Sequence, residues 1–552
     1  MAENQLGGQQ VLLLPEGSTR LLGRDAQRTN IAVGVAVANA IRTTLGPKGM
    51  DKMLVSDLGD IVITNDGATI LSEMNVEHPV AKILVDVAKT QDKQVGDGTT
   101  SVVIIAGGLL KGAGSLIDQD IHPSLIIRGY KMAAQRAMQI ARDRSKSITI
   151  TDDATLQKIA AVSLGSKNVG DEKTKDTLAK LVVKAIKQVM EKSPDGHITV
   201  DHDFIKIEKK TGGSVDQTEF INGVLIDKEI ANAGMPKSVN NAKIALLDLA
   251  LEIEKTEIDA KIEITSPEQM TQFLEQEERM LKDMVAKIKK AGATVVMTQK
   301  GIDDVAQHYL AKEGIMAARR VKKSDMEKLS RATGGNIVTS LDDLGSKDLG
   351  FAGLVEERKI SDEQMISIEK CKSPKSVTIL VRGGTQQIID EEERALNDAI
   401  GAVRSVVAGG KDGRYVIGAG SIDIDIANGL SAYAEEVGGR EQFAIQKFAE
   451  AMEERPRTLA ENAGMDVLKT LGDLKSAHKK KDGSAYGIDL VNNNIGDMEK
   501  QNVIEPLNVE LQIISSASEA ASTILRIDDM ISSRGKSHGG GGMPPGGMPG
   551  ME

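Results

Sequence analysis

Gly96-Asp97-Gly98-Thr99-Thr100-Ser101 puts two glycines, one carboxylate and three hydroxyls into six residues. That is the chemistry a polyphosphate and its metal require. Glycine lets the backbone approach closely and turn its N–H groups inward, hydroxyls donate to phosphate oxygens, and a carboxylate can hold Mg2+ among those oxygens. The apolar run Val102 to Ala106 follows, so the loop would open a helix whose positive N-terminus adds to anion binding. Taken alone, the six residues also read as a surface turn.

Two neighbours shift that balance. Thr43-Thr44-Leu45-Gly46-Pro47-Lys48-Gly49 lies upstream, and Thr64-Asn65-Asp66-Gly67-Ala68-Thr69 sits between. Each is a glycine-punctuated polar loop flanked by apolar residues that can be buried. The P-loop pattern is absent: Gly535-Lys536-Ser537 has Met530 where its first glycine should stand, and Gly165-Ser166-Lys167 has Ala160 there. A nucleotide would bind outside the Walker scheme. Farther on, Gly418-Ala419-Gly420-Ser421 is another close-approach loop, followed by Asp423 and Asp425.

The elements that must position these loops follow from periodicity. Residues 25–45 read as a helix, with Ile31, Val35, Ala38 and Ile41 at helical spacing until Gly46-Pro47. Asp57 to Thr64 reads as a hairpin arm delivering Asn65-Asp66-Gly67 to its tip. Helices run on to about 142, broken at His122-Pro123-Ser124, where His122 reads as a turn residue. Region 197–209 looks like strand. Within 222–371, strands at 243–249, 294–298 and 316–321 alternate with helices at 302–313 and 324–334, as in an open α/β layer. Ser266-Pro267-Glu268-Gln269 is a capping box, and Met270, Phe273, Leu274, Leu281, Met284, Val285 and Ile288 form an apolar stripe after it. That stripe suits either packing on its own domain or contacts with unfolded chains and other subunits. The stretch Leu251 to Ile264 before it resembles a projecting arm. In the helix Glu391 to Val407, the apolar line Leu396, Ala399, Ile400, Val403 and Val407 leaves Asp398 off it, so by itself Asp398 reads as a solvated surface acid. Gly539 to Glu552 is almost all glycine, methionine and proline and should be disordered.

Composition narrows the function. A chain of 552 residues can hold several domains. Its net charge of -11 argues against a general nucleic-acid or anionic-membrane surface, and aromatics at 2% leave little for base stacking. The lone Cys371 has no partner for an intramolecular disulfide, which fits a reducing cytosol. No secretion signal or transmembrane helix is expected, since Ile31 to Ile41 is far short of the roughly 20 residues a bilayer needs.

Together these pieces resemble the chaperonin family, and within it the group II chaperonins of the archaeal thermosome and eukaryotic cytosolic type. The resemblance is carried in order by Leu45 to Leu54, Thr64 to Ile70, Gly96 to Ser101, Gln299 to Asp303, Glu461 to Gly464, Tyr486 to Asp489 and Leu525 to Asp529. It implies a multidomain α+β and α/β fold in three parts. These would be a mostly helical equatorial ATP-binding domain (1–149 and 410–552), a small α/β intermediate hinge (150–221 and 376–409), and an α/β apical domain (222–375) whose helical protrusion, about 252–288, is a built-in lid. It implies a cytoplasmic, ATP-dependent chaperone that encloses non-native polypeptides in two stacked rings of eight or nine subunits, without a separate co-chaperonin, nucleic acid or membrane partner.

By the same resemblance, Asp97 would hold Mg2+, while Gly98, Thr99, Thr100 and Ser101 contact phosphate oxygens and Leu45, Gly46 and Pro47 line the opposite side. Asp66 and Asp398 would stand near the attacking water, with Asp398 orienting or deprotonating it. Lys167 would sense the terminal phosphate, Gly420 would approach the nucleotide with Asp423 nearby, and Glu505 would accept ribose hydroxyls. The chain departs from the family pattern at Ala419, Asp423, Gly165-Ser166 and Asn502. A kinase- or ligase-like metabolic enzyme and a non-hydrolysing scaffold are the rival readings.

Overall fold

A computed structural model describes residues 18–195, 197–253, 267–408, 412–480 and 482–533. The chain runs out through a helical layer and a small mixed layer to a sheet, then returns through the same layers.

Helices α1 (Gly23–Arg42), α2 (Gly67–Glu73), α3 (Pro79–Val95), α4 (Thr99–Asp118) and α5 (Pro123–Arg144) begin the first layer. Local chemistry sets their starts. His78 and His122 each precede a proline in the first turn, and their rings accept from the Val80 and Ser124 N–H groups. His122 is therefore a helix cap rather than a turn residue. The hairpin pairs Lys52–Val55 with Ile61–Thr64, so its turn lies at 56–60. Asn65 and Asp66 leave the second strand instead of forming the hairpin's tip, and Asp66 caps α2 by accepting from the Thr69 N–H at 2.8 Å.

Unlike Ile31 to Ile41, α4 is long and apolar enough to cross a membrane by length and composition, contrary to the expectation that no segment would be. It is buried around its circumference among α1 and the later helices Glu441–Met452 and Leu507–Leu525, as a core helix of a large domain is.

The chain then forms α6 (Asp153–Gly165) and α7 (Glu172–Val189). Strand Ile205–Thr211 runs parallel to Val377–Gly383, which pairs antiparallel with Glu219–Ile221. The expected strand over 197–209 is split: Ile198–Thr199 is separated from Ile205–Thr211 by a helical turn at His202–Phe204, where Asp201 accepts from the Asp203 N–H.

The distal part is a seven-stranded sheet. Ser238–Leu247 lies parallel to Val295–Thr298 and Ile337–Val338, and Val295–Thr298 is parallel to Met316–Ala318. Gly350–Ile360, Glu363–Glu369 and Gly223–Ile226 extend the sheet antiparallel, so the α/β alternation read from sequence covers only its parallel half. Helices α8 (Pro267–Ala291), α9 (Asp304–Lys312) and α10 (Lys323–Thr333) accompany this part, and two apolar clusters are built on its strands. The α8 stripe divides. Leu281, Val285 and Ile288 are buried, Phe273 and Met284 are half-buried, and Met270 and Leu274 are exposed. The capping Ser266 and most of the expected arm lie outside the described residues, as does the glycine-methionine tail.

The return passes through α11 (Gln386–Val407) and then α12 (Ser421–Val437), α13 (Glu441–Met452), α14 (Glu454–Asn462), α15 (Val467–His478) and α16 (Leu507–Leu525). One apolar cluster joins residues 31–141 to 416–525, and another joins 148–207 to 377–407 with Ile417, Met498 and Ile504. Ser18–Leu22 pairs antiparallel with Asp529–Ser533, tying the two ends of the described chain together.

Candidate functional site

The residues singled out from sequence converge on one cavity of about 570 Å³. Its floor is the α3–α4 loop. Gly98 caps α4 in the left-handed region, and a Cβ there would sit 2.7 Å from Ile513. Asp97 accepts from the Gly98 N–H at 2.6 Å, while Gln91 donates to the Asp97 carbonyl at 2.9 Å. Thr99, Thr100 and Ser101 form the first turn of α4, whose unpaired N–H groups make the positive end of a 20-residue helix.

Leu45, Gly46 and Pro47 form one wall. Gly46 has φ +77, and a Cβ there would meet Leu459 at 2.4 Å. Asn462 of α14 donates to the carbonyls of Arg42 and Leu45, fixing this turn from the other chain half.

Across from it, Asp66 receives the Thr99 hydroxyl at 3.0 Å. Asn65 donates to the Ser166 carbonyl at 2.7 Å, which anchors the loop bearing Lys167. The Lys167 ammonium lies 2.8 Å from Asp398 and 3.7 Å from Asp66. Asp398 is only 7% exposed, which corrects its reading as a solvated surface acid. Helical periodicity revealed the α11 face packed on α6 and α7, but not that the opposite face is covered by the loops bearing Asp66, Gly96 and Lys167.

Burial raises the Asp398 pKa well above the ordinary carboxylate range despite Lys167, and neighbouring Asp66 and Asp97 push it further. Burial likewise raises Asp97. For Asp66, burial alone would raise the pKa, but Lys167, the Thr69 N–H and the Thr99 hydroxyl outweigh it and the carboxyl titrates low. Burial opposes charging of Lys167, yet Asp398 and Asp66 hold its proton more firmly than usual. Asp398 and Asp66 thus pair with one ammonium at the desolvated end of the cavity, with the buried Asp97 carboxyl as a third acid lining it. This excess of hard oxygen donors fits a divalent cation, with Asp97 at the loop where phosphates would lie.

At the far end, Gly420 caps α12 with φ +79. Glu505 lies beside Gly418, where an added Cβ would come within 2.5 Å of its carboxylate; burial raises the Glu505 pKa. Arg455 was missed by sequence reading. Its guanidinium donates to Asp423 at 2.7 Å and Glu510 at 2.5 Å, and reaches Glu505 at 4.0 Å. Burial pushes Asp423 up to about 8, with Arg455 opposing the shift. These groups come from three separate helices and a strand, so spacing carries no signal of them. Also missed were Ile488, Leu490, Val491 and Met498, which give this end an apolar wall.

The helical layer, mixed second layer and distal sheet are consistent with the multidomain chaperonin fold. Residues 37–535 match the TCP-1/cpn60 chaperonin family, and the chain belongs to that family. It is a group II, thermosome-like, ATP-dependent chaperone with a chaperonin ATPase. A thermosome subunit of Pyrococcus horikoshii is 57% identical over 527 residues, spanning 96% of this chain and 95% of its own. The thermosome subunit beta of Archaeoglobus fulgidus is 54% identical over 549 residues, 99% of each chain. That of Methanothermobacter thermautotrophicus is 55% identical over 549 residues, 98% of this chain and 99% of its own.

Proposed function

We propose that the cavity binds Mg2+ and ATP and that hydrolysis requires Asp398 to seat against the phosphate loop. The carrying observation is the meeting of Asp398, Lys167 and Asp66 at the N-terminus of α4. Residues 98–101 supply N–H and hydroxyl donors to phosphate oxygens, and the turn at Leu45 to Pro47 closes the other side. Asp97 would hold Mg2+, which would supply positive charge to offset that of the phosphates. Asp398 orients the attacking water and accepts its proton, a role suited to a buried carboxylate of raised proton affinity. Asp66 stays ionised and assists in placing that water. Lys167 is a mobile point charge that exchanges its carboxylate partners for the terminal phosphate. Glu505 accepts ribose hydroxyls, and the apolar wall at Ile488 to Val491 receives the base.

In this reading 1–149 with 410–552 is the equatorial domain, 150–221 with 376–409 the hinge and 222–375 the apical domain. The separate apolar clusters support that division. The exposed Met270, Leu274 and Met280 of α8 support a lid protrusion at about 252–288 that meets other subunits or non-native chains. Subunits assemble in two stacked rings of eight or nine in the cytoplasm, and the built-in lid dispenses with a co-chaperonin. Confinement of a non-native chain suppresses its aggregation. Asp398→Ala should retain ATP binding while turnover falls by about 10²- to 10⁴-fold. An unchanged hydrolysis rate would sink the assignment.

A further inference from the structure

Three residues of α11, one about every turn, face the phosphate loop from the hinge side. Asp398 holds Lys167. Gly401 lies directly on the backbone of Gly96: a Cβ at position 401 would stand 2.5 Å from the Gly96 Cα and 2.9 Å from the Val95 carbonyl oxygen, where ordinary contact begins at 3.4 Å. A Cβ at Gly96 would in turn meet the Gly401 Cα at 2.6 Å. Gly96 is both the left-handed C-cap of α3 and the first residue of the phosphate loop. Arg404 then donates to the carbonyls of Gln94 at 2.8 Å and Lys93 at 3.3 Å. Those carbonyls belong to the last turn of α3, the negative end of its dipole, where a cation is favoured. The other guanidinium nitrogen lies 2.8 Å from His202 Nδ1.

We propose that Gly401 and Arg404 are positioning residues for hydrolysis. The glycine–glycine contact sets how deeply α11 can seat, and Arg404 clamps the seated helix to the end of α3. The proposal rests on the reading of Asp398 as the group that handles the attacking water. Gly401 lies about 4.5 Å along the helix axis from Asp398, so a shift forced at the contact reaches the carboxylate through less than one turn of rigid helix. Adding a methyl at 401 requires the two backbones to part by about 1 Å, a displacement able to cost about 10²-fold in rate when it misplaces a reacting group. Nucleotide binding itself uses loops on the other side of this contact and should be spared.

The test uses the full-length assembled protein, with steady-state ATP turnover measured beside equilibrium binding of a fluorescent ADP analogue in Mg2+. Gly401→Ala should lower kcat by about 100-fold and Arg404→Gln by about tenfold, with ADP affinity within about twofold of the parent in both. Arg404→Lys, which keeps the cation at the end of α3, should recover most of the loss. In an Asp398→Ala background neither substitution should cause a further drop, because both act through that carboxylate. If Asp398→Ala leaves turnover intact, the reading of Asp398 fails and the proposal with it. If Asp398→Ala is inactive while Gly401→Ala and Arg404→Gln turn over at the parent rate, the positioning role alone is overturned. Losses that persist in full in the Asp398→Ala background, or that track lost ADP affinity, also overturn it. Should Gly401→Ala fail to assemble, Arg404→Gln, at a partly exposed position, decides the matter.

Discussion

Replacing Glu392 by glutamine should remove a defined part of the protein's pH dependence. Glu392 is fully buried on α11, six residues before Asp398. One carboxyl oxygen receives the Thr218 hydroxyl at 2.6 Å, and the other has no hydrogen-bond partner among the described residues. Burial pushes its pKa from 4.5 up to about 7, with the Thr218 bond opposing. An acid whose folded pKa is raised binds its proton more tightly in the folded state, so its stabilising contribution is complete below about 4.5 and is lost as pH rises through about 7. At about 1.36 kcal/mol per unit, the full loss is about 3 kcal/mol, of which about 2.5 kcal/mol falls between about pH 5 and pH 8. Glutamine keeps the acceptor for Thr218 and cannot ionise. Guanidinium unfolding midpoints of parent and Glu392→Gln at the two pH values isolate the term as a difference of differences. The variant should gain about 2–3 kcal/mol at about pH 8 and less than about 1 kcal/mol at about pH 5. Identical pH dependence in both proteins would refute the reasoning.

Lys167→Met leaves Asp398 and Asp66 buried without their shared cation, a loss of about 3–5 kcal/mol for a broken buried pair. Thermal unfolding without ligand should move down, ATP turnover should fall, and Mg2+ with ADP should raise the variant's midpoint more than the parent's. Equal ligand-induced shifts would contradict the charge count at the site. Cys371 is buried and burial raises its thiol from 9.0 to about 11. Iodoacetamide at about pH 8 should therefore alkylate the native protein about 100-fold more slowly than the unfolded chain, from the thiolate fraction alone. Comparable rates would show an accessible, ionisable thiol.

What could be read from sequence is what the chain determines over short distances. The glycines, carboxylate and hydroxyls of Gly96 to Ser101 carry their donors within six residues, although alone they also read as a surface turn, and only the flanking loops shifted that balance. Helical periodicity found α1, α9, α10 and α11, because a helix must bury one stripe. The roles of Lys167 and Glu505 came only through resemblance to a family.

Tertiary structure decided everything that depends on a second surface. Asp398 looked solvated because the periodicity of one helix reports only one of its partners, and the packing of the α3–α4 loop on α11 is encoded in residues some three hundred positions away. The α8 stripe looked uniform, yet Leu281, Val285 and Ile288 are buried in a cluster with the sheet and α9 while Met270 and Leu274 are exposed. Arg455 became visible only when Asp423 and Glu510 closed on it. A short loop carries its own dihedral preferences and donors, so sequence alone makes it a candidate for phosphate binding. Desolvation and charge pairing exist only between segments brought together by the fold, and they bury Asp398 against Lys167 beside that loop.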